Sequence, residues 1–164
     1  MNNKKTIIYA LLILVVFTAL AAGIFISGSS SKKSPDFSLP TYDNKSTISL
    51  SGLKGKPVFL LFFSTTCPTC VSEAPMLERN YQQYKDRVSF VGLEVNTGPT
   101  EVASFVKEKG VTYPIVISDQ KTSADYKING IPDMYFIDKN GNIASRHIGR
   151  ILEPELKSEL NKLI

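Results

Sequence analysis

A chain of 164 residues has room for one ordinary domain and a short appendage. Its formal charge of +4 rests on Lys4, Lys5, Lys32 and Lys33, while basic and acidic side chains balance at 15 each from Asp36 onward; a basic face for nucleic acid is therefore not indicated despite the high pI. Two cysteines, Cys67 and Cys70, and a single histidine, His147, are too few for a disulfide scaffold or for a zinc site built from two ligand pairs.

The first element is apolar. Thr6 to Ser27 carries no charged residue, and its 22 residues at about 1.5 Å each reach roughly 33 Å, enough to cross a bilayer core of about 30 Å. Ala19-Leu20-Ala21 offers a small-residue cleavage site, but the segment is longer than the apolar core of an ordinary signal peptide, which favours a retained anchor over residues 1–27. No cysteine follows it to carry a lipid. Lys4 and Lys5 ahead of the segment favour a cytoplasmic N-terminus and place the remainder outside; Lys32 and Lys33 behind it weaken that bias. Cleavage would instead release a secreted domain. Residues 28–35, small and polar with a terminal proline, read as a linker, and residues 36–164 as the domain.

Along the domain, Ser46–Leu50 alternates polar and apolar residues, as an edge strand does. Val58–Ser64 is an unbroken apolar run of strand length, expected to be buried on both faces. After the cysteines, Val71, Ala74, Leu77, Tyr81 and Tyr84 recur at steps of three and four and predict an amphipathic helix. Val88–Asn96 reads as a second buried strand, and Pro99–Gly110 as a helix with proline at its start and glycine at its end. Tyr113–Ser118 is a strand and Thr122–Ile128 a short helix. Met134–Asp138 and Ile143–Gly149 are strands joined through Asn140-Gly141, a hairpin signal. Glu153–Ile164 closes the chain as an amphipathic helix with acidic residues in its first turn. Strands alternating with helices, then a hairpin and a helix, predict an α/β fold: a three-layer sandwich around a central mixed sheet, in thioredoxin-like order with an added helix.

The cysteine pair admits three chemistries. Zinc needs about four ligands, and His147 is the one remaining strong candidate. A structural disulfide closing so short a loop would stabilise little. A redox pair accounts for the placement: Cys67 falls where a buried strand gives way to a helix, so that free N–H groups and the helix dipole favour a thiolate. Cys70 lies one turn further along the same face, within disulfide reach.

The segment "FSTTCPTCVSEAPML" (Phe63–Leu77), with "FSLP" opening the domain and the later "GIPDMYFID" (Gly130–Asp138), resembles the membrane-anchored TlpA/ResA-like thiol–disulfide oxidoreductases of the thioredoxin superfamily. The resemblance spans nearly everything from Asp36 to Ile164. It implies Cys67 as the exposed nucleophile, Cys70 as the resolving thiol and Glu73 as the active-site acid. It also implies Pro132 as a cis-proline facing the disulfide, and Ile131 as a source of backbone groups for a substrate chain. No cofactor or metal is implied. The implied partners are exported proteins bearing disulfides, such as apocytochrome c, and an integral membrane electron donor.

The residues support parts of this independently. Glu73 shares a helix face with Cys70, from which it can shuttle a proton and, while ionised, raise that thiol's pKa; the plain alternative is an exposed first-turn glutamate. Pro75 removes a helix donor and is expected to kink the helix. Glu94 ends a buried strand at the edge where α/β sites collect, or is simply a solvated strand-end acid. His147 reads as a surface residue. Departures from the family are Thr66 where many relatives have tryptophan, Leu61 where thioredoxin keeps a buried carboxylate, and Asp133 after the proline. Asp133 is expected to bring negative charge to the docking edge, biasing substrates or raising the Cys67 pKa. Two other activities share features with the chain: a peroxiredoxin, for which no second distant cysteine or clear arginine partner is found, and a copper(I) metallochaperone using both thiolates with His147.

Overall fold

The computed structural model describes residues 32–164, and the expected membrane anchor lies outside them. No helix among the described residues is long and apolar enough to cross a membrane. In chain order the elements are β1 (Ser38–Pro40), β2 (Thr47–Ser49), a 3-10 turn (Ser51–Leu53), β3 (Val58–Phe63), α1 (Pro68–Tyr84), β4 (Ser89–Glu94) and α2 (Pro99–Lys109). They continue with β5 (Ile115–Ile117), α3 (Gln120–Asp125), β6 (Asp133–Ile137), β7 (Ile143–Ile148) and α4 (Glu153–Leu163).

The central sheet has the order β5-β4-β3-β6-β7. β3 pairs parallel to β4 and antiparallel to β6, β4 pairs parallel to β5, and β7 is antiparallel to β6. The sheet is therefore mixed, as the sequence predicts. β3 is the middle strand, and all six of its residues are buried. Its alternation divides the core. Phe59, Leu61 and Phe63 pack with Ala74 and Leu77 of α1, Val102 and Phe105 of α2, and Leu156 and Leu160 of α4. Leu60 and Phe62 face the other way, toward Val91, Leu93, Tyr126, Tyr135 and the β1–β2 ribbon residues Leu39 and Ile48. Burying three phenylalanines and three aliphatic side chains contributes about 1.5–3 kcal/mol per residue, which makes β3 the rigid member against which the site is built.

The sequence periodicity places β3, β4, α2 and α4 well and misjudges their smaller neighbours. The expected edge strand at 46–50 is only Thr47–Ser49; it pairs with β1 in a separate two-stranded ribbon rather than at the edge of the main sheet. β5 keeps three residues of the expected six because only Gly92–Glu94 of β4 pairs with it, and Gly92 donates to the Pro114 carbonyl where the pairing ends. α1 starts at Pro68, earlier than the apolar pattern indicates, because Cys67 caps it and proline suits the first helical position. It continues through Pro75 to Tyr84 without interruption. α3 begins at Gln120, set by Asp119, whose carboxylate accepts from the Thr122 N–H at 2.6 Å. Residues 32–35 lie against the β6–β7 turn: the Ser34 N–H donates to the Gly141 carbonyl at 3.0 Å, and the Ser34 hydroxyl meets the Tyr126 hydroxyl at 2.7 Å.

Candidate active site

β3 delivers the chain to the C-terminal edge of the sheet, where Ser64–Cys67 forms a tight turn closed by the Cys67 N–H on the Ser64 carbonyl at 3.1 Å. Cys67 is the N-cap of α1, in extended geometry (φ −84°, ψ 115°). Its sulfur accepts from the Cys70 backbone N–H at 3.4 Å, so a helix-terminal donor points at it. Cys67 is half-buried, Cys70 is buried, and both are free thiols. On its other side the Cys67 sulfur lies 3.9 Å from the carbonyl oxygen of Ile131. The Ile131–Pro132 bond is cis, as the resemblance implies, and Pro132 is buried. The fold thus gathers Cys67, Cys70, Ile131 and Pro132 from the ends of β3 and β6.

The two thiols are unequal. Burial pushes Cys70 up to about 12, assisted by its hydrogen bond to Cys67 and by the charge of Glu73. A thiol held protonated in this way leaves its neighbour free to act first.

Glu73 is not the exposed first-turn acid that was the plain alternative: it is 4% exposed. Its Oε1 accepts from the Ile151 N–H at 2.7 Å, while Oε2 has no partner. Burial raises its pKa, against the opposing effects of the Ile151 hydrogen bond, the nearby Arg150 guanidinium and the His147 imidazole. A buried carboxyl with one free oxygen beside a buried thiol can accept and return a proton.

Glu94 is also no solvated acid. It is wholly buried, its Oε2 accepting from Thr65 (2.8 Å) and its Oε1 from Asn96 and Thr97 (2.9 Å each), all backbone N–H groups. Three backbone donors thus occupy both of its oxygens.

Asp133 corrects the expectation of a negative docking edge. Its carboxylate is fully buried, receiving Arg146 Nε at 2.9 Å and Nη2 at 2.5 Å. The same guanidinium donates to the Lys127 carbonyl at 3.1 Å and stacks 4.9 Å from the Tyr135 ring centroid. The charge is neutralised inside the β6–β7 hairpin and ties down the segment that leads to Pro132. His147 is likewise engaged, with Nδ1 3.1 Å from Glu155 and Nε2 2.9 Å from the Arg150 carbonyl. It therefore supplies no third ligand to the thiols, and among the described residues no group of three His, Cys, Asp or Glu side chains gathers as a metal site.

The sequence does not single out the segment from Ile148 to Leu152, which completes the site. The Gly149 N–H donates to the Pro132 carbonyl at 2.8 Å, and the Ile151 N–H holds Glu73. Between and beside these ties, Ile148 and Leu152 stand 51% and 61% exposed. Ile148 ends the outer strand β7 and Leu152 caps α4, and the signal they carry is a large apolar side chain at an otherwise polar element end.

A family model for Redoxin matches residues 29–164. The chain belongs to the Redoxin family. It is similar to the thioredoxin-like protein YneN of Bacillus subtilis, 31% identical over 79% of this chain and 78% of the relative. It is also similar to the thiol-disulfide oxidoreductase ResA of Bacillus anthracis, 29% identical over 98% of each. Among solved structures, a thiol:disulfide interchange protein of the thioredoxin family from Chlorobium tepidum superposes with a TM-score of 0.77, at 27% identity, over 84% of this chain and 99% of that one. This Redoxin-family chain is a ResA-like member of the thioredoxin superfamily and, by class, a thiol–disulfide oxidoreductase.

Proposed function

We propose that the protein is a membrane-anchored reductase of disulfides in exported proteins, with Cys67 and Cys70 as its redox pair. The supporting observation is the asymmetry of the thiols: Cys67 half-buried at a helix N-cap with a backbone N–H on its sulfur, Cys70 buried and held protonated. The Cys67 thiolate attacks one sulfur of a partner's disulfide; a Cys67–partner disulfide forms, and the partner's other sulfur leaves as a thiolate that takes up a proton. Cys70 then gives its proton to the free oxygen of Glu73 and attacks the Cys67 sulfur. The partner leaves with its second thiol, and the enzyme keeps a Cys67–Cys70 disulfide. Two electrons have passed to the partner. Ile131 presents its carbonyl beside the reacting sulfur, where an extended segment of the partner can pair with it.

What supports the proposed location is the apolar segment of residues 6–27 with the lysines before it, which favour a domain outside the cytoplasmic membrane against the weaker opposing bias of Lys32 and Lys33. An oxidising exterior requires a dithiol donor within the membrane to return the pair to its reduced state. The substrate class that the ResA-like relatives suggest is the haem-site cysteines of apocytochrome c. The peroxiredoxin alternative gains nothing from the site, where the buried second thiol is an adjacent one suited to resolving a captured disulfide.

Covalent trapping tests the proposal. With Cys70→Ser, Cys67 captures its partner and cannot release it, so a mixed disulfide that dissolves on reduction is expected in non-reducing gels. Identification of the trapped protein fixes the substrate. No adduct at Cys67, or an unchanged turnover of a model disulfide by Cys70→Ser, contradicts it.

A further inference from the structure

The turn that carries Cys67 is held from one side by a carboxylate at the end of the neighbouring strand β4. Beyond Phe63 the chain leaves the sheet: Val95 still donates to the Phe63 carbonyl at 3.0 Å, but Thr65 has no strand to pair with. Its N–H goes to Glu94 Oε2 at 2.8 Å. The other carboxylate oxygen collects Asn96 and Thr97, the two residues that lead from β4 toward α2, at 2.9 Å each. A second tie joins the same two segments, the Thr65 and Thr97 hydroxyls at 2.8 Å. Inside the turn, the Thr66 N–H and hydroxyl both reach the Ser64 hydroxyl, at 3.3 and 3.0 Å, and the Cys67 N–H closes on the Ser64 carbonyl. The turn is thus internally bonded, and through Glu94 it is fixed to the end of β4.

We infer that Glu94 is a positioning residue for the nucleophile: its buried carboxylate sets the Ser64–Cys67 turn and so keeps the Cys67 sulfur at the N-cap of α1, in front of the Cys70 N–H. This rests on the reading of Cys67 as the attacking thiol. A carboxylate has about four lone-pair positions, and three are filled here by backbone donors, an arrangement that only an acceptor on both oxygens can satisfy. A glutamine cannot. Its single carbonyl oxygen is required by Asn96 and Thr97, which turns its NH2 against the Thr65 N–H. Glu94→Gln therefore unties the cysteine turn while leaving the β4–α2 connection held. The ionisable groups around the thiols are Cys70 and Glu73 on α1, with Arg150 and His147 behind Glu73, and this substitution touches none of them.

The sign of the effect separates positioning from charge. Removing a negative charge near the sulfur would by itself favour the Cys67 thiolate and speed its alkylation. Loosening the turn withdraws the sulfur from the helix terminus and slows it, by roughly threefold if the terminal donor and dipole act with their usual strength. The test is the rate at which iodoacetamide modifies Cys67 in the reduced full chain, read by mass spectrometry. It is run for the unmodified chain, for Glu94→Gln, for Thr65→Pro and for the double variant. Proline suits the second position of such a turn and carries no N–H to oppose the glutamine. The expected result is slower alkylation in Glu94→Gln and a rate in the double variant within twofold of Thr65→Pro alone. A rate in Glu94→Gln equal to or faster than that of the unmodified chain overturns the inference, as does a double variant more than twofold slower than Thr65→Pro alone. Amide exchange in the unmodified chain gives a second arm that needs no variant to fold: Thr65 is protected at least as well as Asn96, and exchange as fast as in an open loop overturns the inference. If Cys67 of the unmodified chain does not react at all, the reading of the site fails, while the exchange measurement still decides the role of Glu94.

Discussion

Two glutamates are buried on opposite flanks of the thiols, and their surroundings give them different work. On the flank toward β7, Glu73 accepts one backbone N–H, from Ile151, and keeps an oxygen without a partner; burial raises its pKa. On the flank toward β4, Glu94 accepts three backbone N–H groups across both oxygens. Residue type and burial are the same. The number of donors supplied by the fold differs: Glu73 keeps one oxygen open beside the buried thiol, while both oxygens of Glu94 are engaged in holding loops. Asp133 is a third case: buried to the same degree, but matched with a guanidinium, so that it holds the hairpin beneath Pro132. A carboxylate near a redox pair is therefore not catalytic by proximity, and its hydrogen-bond inventory is the property to examine.

The largest effect expected from breaking these arrangements is at Asp133. Arg146→Ala leaves a buried carboxylate uncompensated and removes a cation from the Tyr135 face, at a cost of about 3–5 kcal/mol in urea unfolding. A loss below about 1 kcal/mol would show that water reaches the carboxylate. Next comes Glu73→Gln, which keeps an oxygen for the Ile151 N–H but removes the proton acceptor. Release of a trapped partner by Cys70 should slow by roughly a hundredfold, while the capture rate of Cys67 stays within about threefold. Equal slowing of both steps would assign Glu73 a structural role instead.

Glu73 also gives the fold a pH dependence with a definite sign. Its folded pKa is raised, so the folded chain binds more protons than the unfolded chain above the ordinary value of 4.5. Its stabilising contribution is complete below that value and is lost as pH rises through the raised one. In Glu73→Gln this decline disappears, so the difference in unfolding midpoint between variant and parent grows in the variant's favour from acid to neutral pH. A constant difference contradicts the assignment. The smallest effect belongs to Leu152→Ser. At 61% exposure its removal changes stability by less than about 0.5 kcal/mol. If Ile148 and Leu152 form an apolar rim for the partner, capture slows several-fold while alkylation by a small reagent is unchanged.

The parts of this account that were legible in the sequence are those with a period or a fixed spacing. The six-residue apolar run of β3, the three-and-four steps of α1 and the Asn-Gly of the β6–β7 turn each carry a local physical signal, and each is where that signal puts it. The cysteine pair at a strand-to-helix junction belongs with them. β1 and β5, at three residues apiece, are too short to show alternation, and β5 finds its partner β4 only across the intervening helix α2. The burial of Glu73 was half legible, since its spacing from Cys70 puts both on one face; its partner, Ile151, lies 78 residues away. The Asp133–Arg146 pair could have been found. With Tyr135 opposite Arg146 in the hairpin register, strand alternation puts Asp133 on the same face, one diagonal step away. Reading Asp133 as a free charge overlooked that register. Nothing local marks Glu94 as the anchor of the cysteine turn, because Thr65, the donor that ties it there, lies 29 residues away.

The claim on which the mechanism depends is that the fold makes one thiol of the pair reactive and silences the other. Site-resolved alkylation of the reduced full chain across pH measures this directly, with each cysteine counted by mass spectrometry. The account predicts that in the ordinary thiol range of about 8–9 Cys67 is modified while Cys70 is not, and that Cys70 begins to react only as pH approaches about 12. Modification of both sulfurs at the same rate near pH 8, or of Cys70 first, would contradict it.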